Sequence, residues 1–373
     1  MSNIKVAYML GSLNRGGTET LMLDVFRNAD KVPFEMICIH RKGGPYLDDY
    51  YASGVKMINC APKRFGYMRY LIQLRRLIKS ENINIVHTQH WLDGIYAYLA
   101  TIGLSIRVAL TLHGYFPQNG LVGILCRTSI RTADDVCFVS RYEQDWYQSH
   151  CYIPDSKCHV IYNGVDFRKF DFEDKRILGF EDERDRRSAK ICMVGNFVKV
   201  RDHITLFRAL QLLNERGRKD FDFYFIGKRV EEQAWIYDEC KRICEKYNMT
   251  NVHFMGGRGD VPVLLKSMDG FVYSTDHDTF GIAVVEAMAV GLPVVVNDYA
   301  VMREVCGKKE NHAVTYFHSK DVGGCADAIE KLLFQIYEST TEFKTKCANN
   351  AQWVHEQYSI DAYLKRLHNI YSV

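Results

Sequence analysis

Apolar residues fall into short unbroken blocks, separated by longer stretches in which they recur every three or four positions. The blocks at 4–10, 34–39, 84–88, 106–112, 136–139 and 158–161 read as strands, and the periodic stretches at 18–29, 67–80, 92–103, 120–132 and 141–149 read as helices. Strand followed by helix at this spacing predicts a mostly parallel sheet covered on both faces. A charge-dense stretch from Asp166 through Phe180 to Arg187 interrupts the pattern, with room for a short helix inside it. The alternation then restarts. Strands are expected at 190–194, 221–226, 251–255, 270–273, 293–296 and 313–316, and helices at 202–216, 231–247, 261–267, 282–290, 300–306, 322–338 and 341–356.

The expected fold class is therefore α/β, with two doubly wound Rossmann-like domains. Their predicted bounds are 1–165 and 190–356, with 166–189 as linker and 357–373 as a terminal helix of open packing. A length of 373 residues suits two hydrophobic cores better than one.

Charge changes the picture only locally. The formal net charge is +3, but residues 1–165 hold 18 Lys and Arg against 13 Asp and Glu. The first domain is thus the better candidate for meeting an anionic surface. Within it, Lys63-Arg64-Phe65-Gly66-Tyr67-Met68-Arg69-Tyr70-Leu71, running on to Arg75, Arg76 and Lys79, interleaves cations with aromatic and aliphatic side chains, as a helix resting on an anionic bilayer does. An ordinary amphipathic helix with Leu71, Leu74 and Ile78 inward fits the same residues. The charge is too modest, and basic aromatic stripes too few, for a nucleic-acid binder. Twelve scattered cysteines in apolar settings point to a reducing cytoplasm, and Cys240 and Cys244 lack a second pair at zinc-site spacing. The opening block reads as a first strand instead of a signal peptide, and no apolar run approaches the length needed to span a bilayer.

Candidate chemistry gathers where strands give way to glycine. Gly16-Gly17-Thr18-Glu19 follows the first strand, where Thr18 can cap a helix, but it lacks the full dinucleotide fingerprint. His113 ends the block Val108–Leu112 and can donate a hydrogen bond to a substrate oxygen. Asn163-Gly164-Val165-Asp166 is a turn that could also wall a site. In the second half, Gly195-Asn196, Gly227-Lys228 and Gly256-Gly257 end successive strands, so several loops converge on one edge. Lys199 and Arg201 lie in the first of these loops, where an arginine could neutralise a pyrophosphate. The sharpest pair is Asp278 and Glu286, set around Thr279-Phe280-Gly281-Ile282 at a helix start. A ligand there could place sugar hydroxyls by Asp278, phosphates over the N–H groups of Thr279 to Ile282, and a ribose diol by Glu286. Glu286 is expected to be buried, because the helix around it is apolar.

Taken together, these segments resemble the retaining nucleotide-sugar glycosyltransferases of family four, the "group 1" transferases, over nearly the whole chain. The likeness rests on Gly16-Gly17-Thr18-Glu19, Thr111-Leu112-His113-Gly114, Val160 to Asp166, Val194-Gly195 with Arg201-Asp202-His203, and above all Asp278 through Val294. It implies the GT-B arrangement of two facing Rossmann-like domains, a nucleotide-sugar donor (a UDP-sugar by family habit), and no tightly bound metal or other cofactor. On the same basis His113 would contact the transferred sugar, Gly16 and Gly17 would approach the donor phosphates and the acceptor, and Arg201 would take the place of the usual pyrophosphate-binding lysine. Gly195, Asn196, Gly227, Thr279, Phe280, Gly281 and Ile282 would frame the donor, and Glu286 would hold its ribose. The chain departs from the family at Asn196, where many relatives carry a phosphate-binding arginine, and at Asp278, one methylene shorter than the usual glutamate. The implied partner is a saccharide acceptor carried on a lipid, in bacterial polysaccharide or lipopolysaccharide assembly at the inner face of the cytoplasmic membrane. Two other readings fit the same architecture: a nucleotide-sugar epimerase, and a catalytically silent sugar-nucleotide-binding protein. A phosphorylase of the glycogen type lacks a lysine setting for its pyridoxal group.

Overall fold

The computed structural model describes residues 4–62, 66–117, 119–170, 188–307 and 310–372. The chain forms two compact units, Met1–Asp166 together with Tyr358–Val373, and Phe167–Gln357. Residues 171–187, most of the expected linker with its possible short helix, lie outside the described residues, as do Lys63, Arg64 and Phe65 of the basic stretch.

Seven parallel strands build the first unit: β1 (Lys5–Leu10), β2 (Glu35–His40), β3 (Lys56–Asn59), β4 (Ile85–Thr88), β5 (Arg107–Leu112), β6 (Asp135–Phe138) and β7 (Cys158–Val160). They lie in the order β3-β2-β1-β4-β5-β6-β7. Helices α1 (Gly17–Arg27), α2 (Leu47–Ala52), α3 (Tyr67–Ser80), α4 (Trp91–Thr101), α5 (Gly120–Thr132) and α6 (Arg141–His150) connect them. β3 and α2 escape the hydrophobic pattern. β3 is a four-residue edge strand with both ends exposed, and α2 buries only Tyr50, so neither carries an apolar run. The central strands read as unbroken apolar blocks because both of their faces are covered: Tyr8 packs with α1, whereas Ala7 and Met9 pack with α3 and α4.

Six parallel strands build the second unit: β8 (Ala189–Val194), β9 (Phe221–Ile226), β10 (Val252–Gly256), β11 (Gly270–Tyr273), β12 (Val294–Asn297) and β13 (Val314–Phe317). Their order is β10-β9-β8-β11-β12-β13. Helices α7 (His203–Glu215), α8 (Ala234–Lys246), α9 (Val261–Lys266), α10 (Ile282–Ala289), α11 (Ala300–Val305), α12 (Val322–Glu338) and α13 (Thr341–Tyr358) complete it.

The terminal helix α14 (Ile360–Tyr371) belongs to the first unit. Ile360, Tyr363, Leu364, Leu367, Ile370 and Tyr371 recur at helical spacing and enter the core formed by β1 and α1. The Ser359 side chain caps the helix by accepting from the Ala362 N–H. Tyr371 ends inside the unit, where its hydroxyl bonds His87 Nδ1 and donates to Tyr8 Oη at 3.1 Å, while His87 Nε2 meets Thr111 Oγ1 at 2.7 Å. Burial holds the His87 pKa down near 3, so its neutral ring can donate at one nitrogen and accept at the other. Asn163 to Asp166 serve this docking. Gly164 lies against Tyr363, the Val165 backbone exchanges hydrogen bonds with Tyr358 and Ile360, and Asp166 accepts from the Asn28 amide.

In both sheets the strand order reverses once, between β1 and β4 and between β8 and β11. The loops leaving neighbouring strands there diverge to opposite faces and open a crevice at the carboxyl ends.

Candidate functional site

In the second unit, the carboxyl ends of β8 and β11 carry Gly195-Asn196 and Tyr273-Ser274-Thr275. The loop after β8 returns Arg201 to this point, and Asp202 then caps α7 by accepting from the Thr205 N–H. The loop after β11 carries Asp278 and runs into α10. Arg201 Nη1 meets Asp278 Oδ2 at 2.9 Å and Thr275 Oγ1 at 3.2 Å, with its guanidinium 5.0 Å from the centre of the Tyr273 ring. The Tyr273 hydroxyl donates to the same Asp278 oxygen at 2.7 Å. Asp278 Oδ1 accepts from the backbone N–H groups of Thr279 at 2.8 Å and Phe280 at 3.3 Å.

These contacts engage both oxygens of the Asp278 carboxylate, from the loop after β8, from the end of β11 and from its own backbone. The N–H groups of Thr279 and Phe280, expected to face a phosphate, point at the Asp278 carboxylate, and the other oxygen of Asp278 holds Arg201. The physical reason is length: an aspartate is short enough to fold back onto N–H groups one and two residues ahead, as in an Asx turn. Burial alone would pull the Arg201 pKa down, but the Tyr273 phenol and the Asp278 carboxylate outweigh it and hold the guanidinium above its ordinary range. Burial, reinforced by Asp278, likewise pushes the Tyr273 hydroxyl well up, so it remains a donor.

Gly281 caps α10 with φ at +88°, and a Cβ there would come within 2.8 Å of the Met302 methyl, so the sharp entry into the helix requires glycine. Within α10, Val284, Val285, Ala287 and Met288 are buried, while Ile282, Ala283 and Glu286 form a half-open stripe. Glu286 is therefore half-buried and not buried as the apolar sequence suggests, because the stripe opposite the core faces outward.

Gly195, Asn196 and Gly227 hold the neighbouring loops together. A Cβ on Gly227 would fall 1.9 Å from the Gly195 carbonyl oxygen, so these backbones touch directly. Asn196 Oδ1 accepts from the Lys228 N–H at 3.0 Å, and its side chain serves the loop where the resemblance expects a cation. Lys199 and Lys228 stand exposed on the same two loops.

In the first unit, Gly16 occupies the cap position of α1, and Thr18 lies within the helix, so the expected threonine cap is absent. The Glu19 carboxylate folds back toward Gly16, and the Ser12 hydroxyl donates to it at 3.4 Å. A carboxylate thus already lies against this helix start. His113 stands at the end of β5 with Nε2 2.8 Å from Gln89 Oε1. Burial, with His90 nearby, lowers its pKa to about 4, so the ring is neutral at pH 7.

Several residues at these crevices escape the sequence reading. Gln89 and His90 follow β4 directly, where strand ends line a crevice, and this position is the signal that could have found them. Asp93 is fully buried and held by Arg41 through Nε at 2.6 Å and Nη2 at 3.2 Å. Tyr273 reads as an ordinary strand residue, and nothing in its sequence setting marks its hydroxyl. Asp134 and Asp135, which the sequence reads as a helix-to-strand junction, lie away from the crevice at the amino end of β6: Asp134 accepts from the Val108 N–H, and Asp135 pairs with Arg107 and His159. Among the described residues, no three His, Cys, Asp or Glu side chains cluster as metal ligands, and no helix is long and apolar enough to cross a membrane.

Comparison with known proteins matches both units. Residues 15–169 match the model of glycosyltransferase family 4, and residues 174–353 match that of glycosyl transferases group 1. The chain is 24% identical over 325 residues, covering 80% of each sequence, to the UDP-Gal:alpha-D-GlcNAc-diphosphoundecaprenol alpha-1,3-galactosyltransferase of Escherichia coli. Its fold matches a glycosyltransferase from Rickettsia africae with a TM-score of 0.86 at 18% identity, over 100% of this chain and 98% of that one. It matches Anabaena Alr3699/HepE, solved with UDP and glucose, with a TM-score of 0.83 at 14% identity, over 99% and 100%. The two Rossmann-like units, their sheet-reversal crevices and these matches together show that the chain belongs to the family-four, group 1 glycosyltransferases of GT-B fold class.

Proposed function

We propose that the protein is a retaining hexosyltransferase that moves a hexose or N-acetylhexosamine from a UDP-sugar to a lipid-linked saccharide, in polysaccharide or lipopolysaccharide assembly at the inner face of the cytoplasmic membrane. The observation that carries this reading is the set of partners around Arg201, a cation fixed at the sheet reversal of the second unit beside the start of α10. The named activity of the Escherichia coli relative supports the lipid-linked acceptor, and the UDP and glucose bound to the Anabaena protein support the donor class.

On this reading Asp278 and the Tyr273 ring orient Arg201, whose remaining N–H groups stabilise charge building on the departing diphosphate. The N–H groups at Gly281 and Ile282 add to this. Glu286 receives the ribose diol, and neutral His113 with Gln89 positions a sugar hydroxyl. The bond from the anomeric carbon to the diphosphate breaks as the bond to the acceptor oxygen forms on the same face, and the diphosphate takes the acceptor's proton. No metal or organic cofactor takes part in this reading.

Incubation with UDP-galactose, UDP-glucose and UDP-N-acetylglucosamine, with and without N-acetylglucosaminyl diphosphoundecaprenol, tests the proposal. The expected result is acceptor-dependent release of UDP, insensitive to chelator, and a product whose anomeric proton signal is that of an alpha linkage. Epimerisation of UDP-N-acetylglucosamine without acceptor, or donor binding with no turnover against any lipid-linked acceptor, would overturn it.

A further inference from the structure

One arrangement occurs in both units. In the second, Gly195 follows β8, Arg201 lies over it, and Asp278 from the loop after β11 holds the guanidinium against the Tyr273 ring. In the first, Gly11 follows β1, Arg41 lies over it, and Asp93 after β4 holds the guanidinium 5.8 Å from the centre of the Tyr96 ring. The strand pairs β1 with β4, and β8 with β11, are those at which the sheet order reverses. A Cβ on Gly11 would stand 3.0 Å from Arg41 Nη2, and one on Gly195 would stand 3.6 Å from Arg201 Nε. Each sheet reversal therefore carries a cation fixed by an aspartate. Nothing in the sequence marks Arg41, which lies 52 positions from Asp93.

Asp93 does not exhaust Arg41. It takes Nε and Nη2, whereas Nη1 makes no hydrogen bond among the described residues and the side chain stays 16% exposed. Burial alone would pull the Arg41 pKa down, but Asp93 and the Tyr70 and Tyr96 phenols outweigh it, so the cation persists. Lys42, the next residue, is exposed and brings a second cation. Two buried donors nearby lack an acceptor among the described residues: Gln89 Nε2 at the end of β4, and the hydroxyl of Tyr70, whose ring packs edge-on against Tyr96 at 5.1 Å. Burial, then Asp93, pushes the Tyr70 hydroxyl above its ordinary range, so it remains a donor. Cations and donors short of acceptors suit an anion with several oxygens, and an open guanidinium edge suits a phosphate ester. We infer that Arg41 is the cation of a second anion site, within the first unit, which takes the diphosphate of the lipid-linked acceptor. The inference deepens the proposed function and rests on it for the identity of the acceptor. Arg201 then serves the diphosphate that leaves, and Arg41 the one that is retained.

Calorimetry on the full chain with octyl N-acetylglucosaminyl diphosphate, against octyl N-acetylglucosaminide without phosphates, tests the assignment. The diphosphate is expected to bind about tenfold to a hundredfold tighter, the value of a charge-assisted contact. Arg41→Gln alone would strand a buried carboxylate, so it is paired with Asp93→Asn, which removes both charges. In that double variant the ratio of the two affinities should fall by about tenfold or more, while UDP binds as in the parent and circular dichroism is unchanged. Arg41→Lys keeps a cation for Asp93 but loses the open guanidinium edge, and it should lower the ratio as well. A role confined to folding would shift the melting temperature and leave the ratio alone. Equal affinities in the parent, no binding of the diphosphate, or a ratio that survives both variants overturns the inference. So does UDP binding that weakens in step with the ratio, which assigns Arg41 to the donor. Turnover separates the two proposals. Release of UDP with both acceptors at equal efficiency removes only the second site, and an Arg41-dependent ratio without turnover removes only the transferase.

Discussion

Arg201 Nη1 and Asp278 Oδ2 lie 2.9 Å apart, so the cation proposed to meet a diphosphate is already partly neutralised by a carboxylate from the neighbouring loop. Asp278→Asn keeps the shape and removes that charge. UDP is expected to bind as tightly or up to about tenfold tighter, while turnover falls by about tenfold to a hundredfold because Arg201 loses its fixed orientation. Arg201→Ala should instead weaken UDP by about tenfold to a hundredfold, the value of a charge-assisted contact. Calorimetry with UDP and initial rates with the donor panel check both. Tighter binding with undiminished turnover in Asp278→Asn would remove the positioning role.

Tyr273 connects the pair, with its hydroxyl on Asp278 and its ring beneath Arg201. Tyr273→Phe retains the ring and deletes the donor, leaving one carboxylate oxygen short of a partner. The expected loss is about 1 kcal/mol of stability, with kcat falling and the KM for donor nearly unchanged. Tyr273→Leu, which also removes the cation–π contact, should raise KM as well. Denaturant melts and steady-state kinetics on both variants read the difference.

Gly281 stands at φ +88° with the Met302 methyl where its Cβ would be, so Gly281→Ala carries two separable costs. The left-handed backbone accounts for about 1–2 kcal/mol, and the contact with Met302 adds to it. Gly281→Ala with Met302→Ala should remove the contact and leave the backbone strain. If the double variant shows no coupling in a thermal-melt cycle, the steric account fails.

Three buried histidines make the protein sensitive to acid. Burial holds His87 near 3 and His113 and His203 near 4, against an ordinary value of 6.5. Between pH 6.5 and 4 the unfolded chain takes up protons that the folded rings refuse, so stability falls as pH falls. His87 and His113 both lie in the first unit, where the slope should reach about 3 kcal/mol per pH unit. Melting temperature measured across that window checks it, and His87→Asn should flatten the slope by about half. An unchanged melting temperature down to pH 4 would show that these rings are not held neutral.

The terminal helix offers a simpler measurement. Removing residues 359–373 strips the apolar stripe of α14 from the first core and leaves His87 without Tyr371. The truncated chain is expected to aggregate or to lose the first unit's melting transition, whereas Tyr371→Phe should cost about 1–3 kcal/mol. Calorimetric scans distinguish a lost transition from a shifted one.

Much of the fold was legible in the sequence. β1, β5, β8 and β9 are apolar on both faces, and such runs bounded by glycine or polar loops admit few alternatives. β3 and α2 were not legible, because an edge strand and a one-turn helix carry too few apolar residues to set a period. Of the site, Asp278, Gly281 and Glu286 stood out by type and spacing, and Arg201 was set above Lys199 only by the resemblance, but their arrangement was not legible. That Asp278 turns inward depends on Tyr273 and on backbone N–H directions, which a one-dimensional pattern does not carry. Gln89, paired with His113, lies 24 positions away from it and meets it only because β4 and β5 are adjacent.

Sequence alone determined two parallel-sheet units, the strand ends at which chemistry gathers and the residue types available there, because each follows from local periodicity and from what glycine and carboxylates can do. Tertiary structure alone decided which of those residues neutralise one another, that α14 completes the first core, and that Arg41 lies across the end of β1 against Asp93. Those are facts of distance between residues far apart in the chain. They depend on strand order and helix placement, which no single segment encodes.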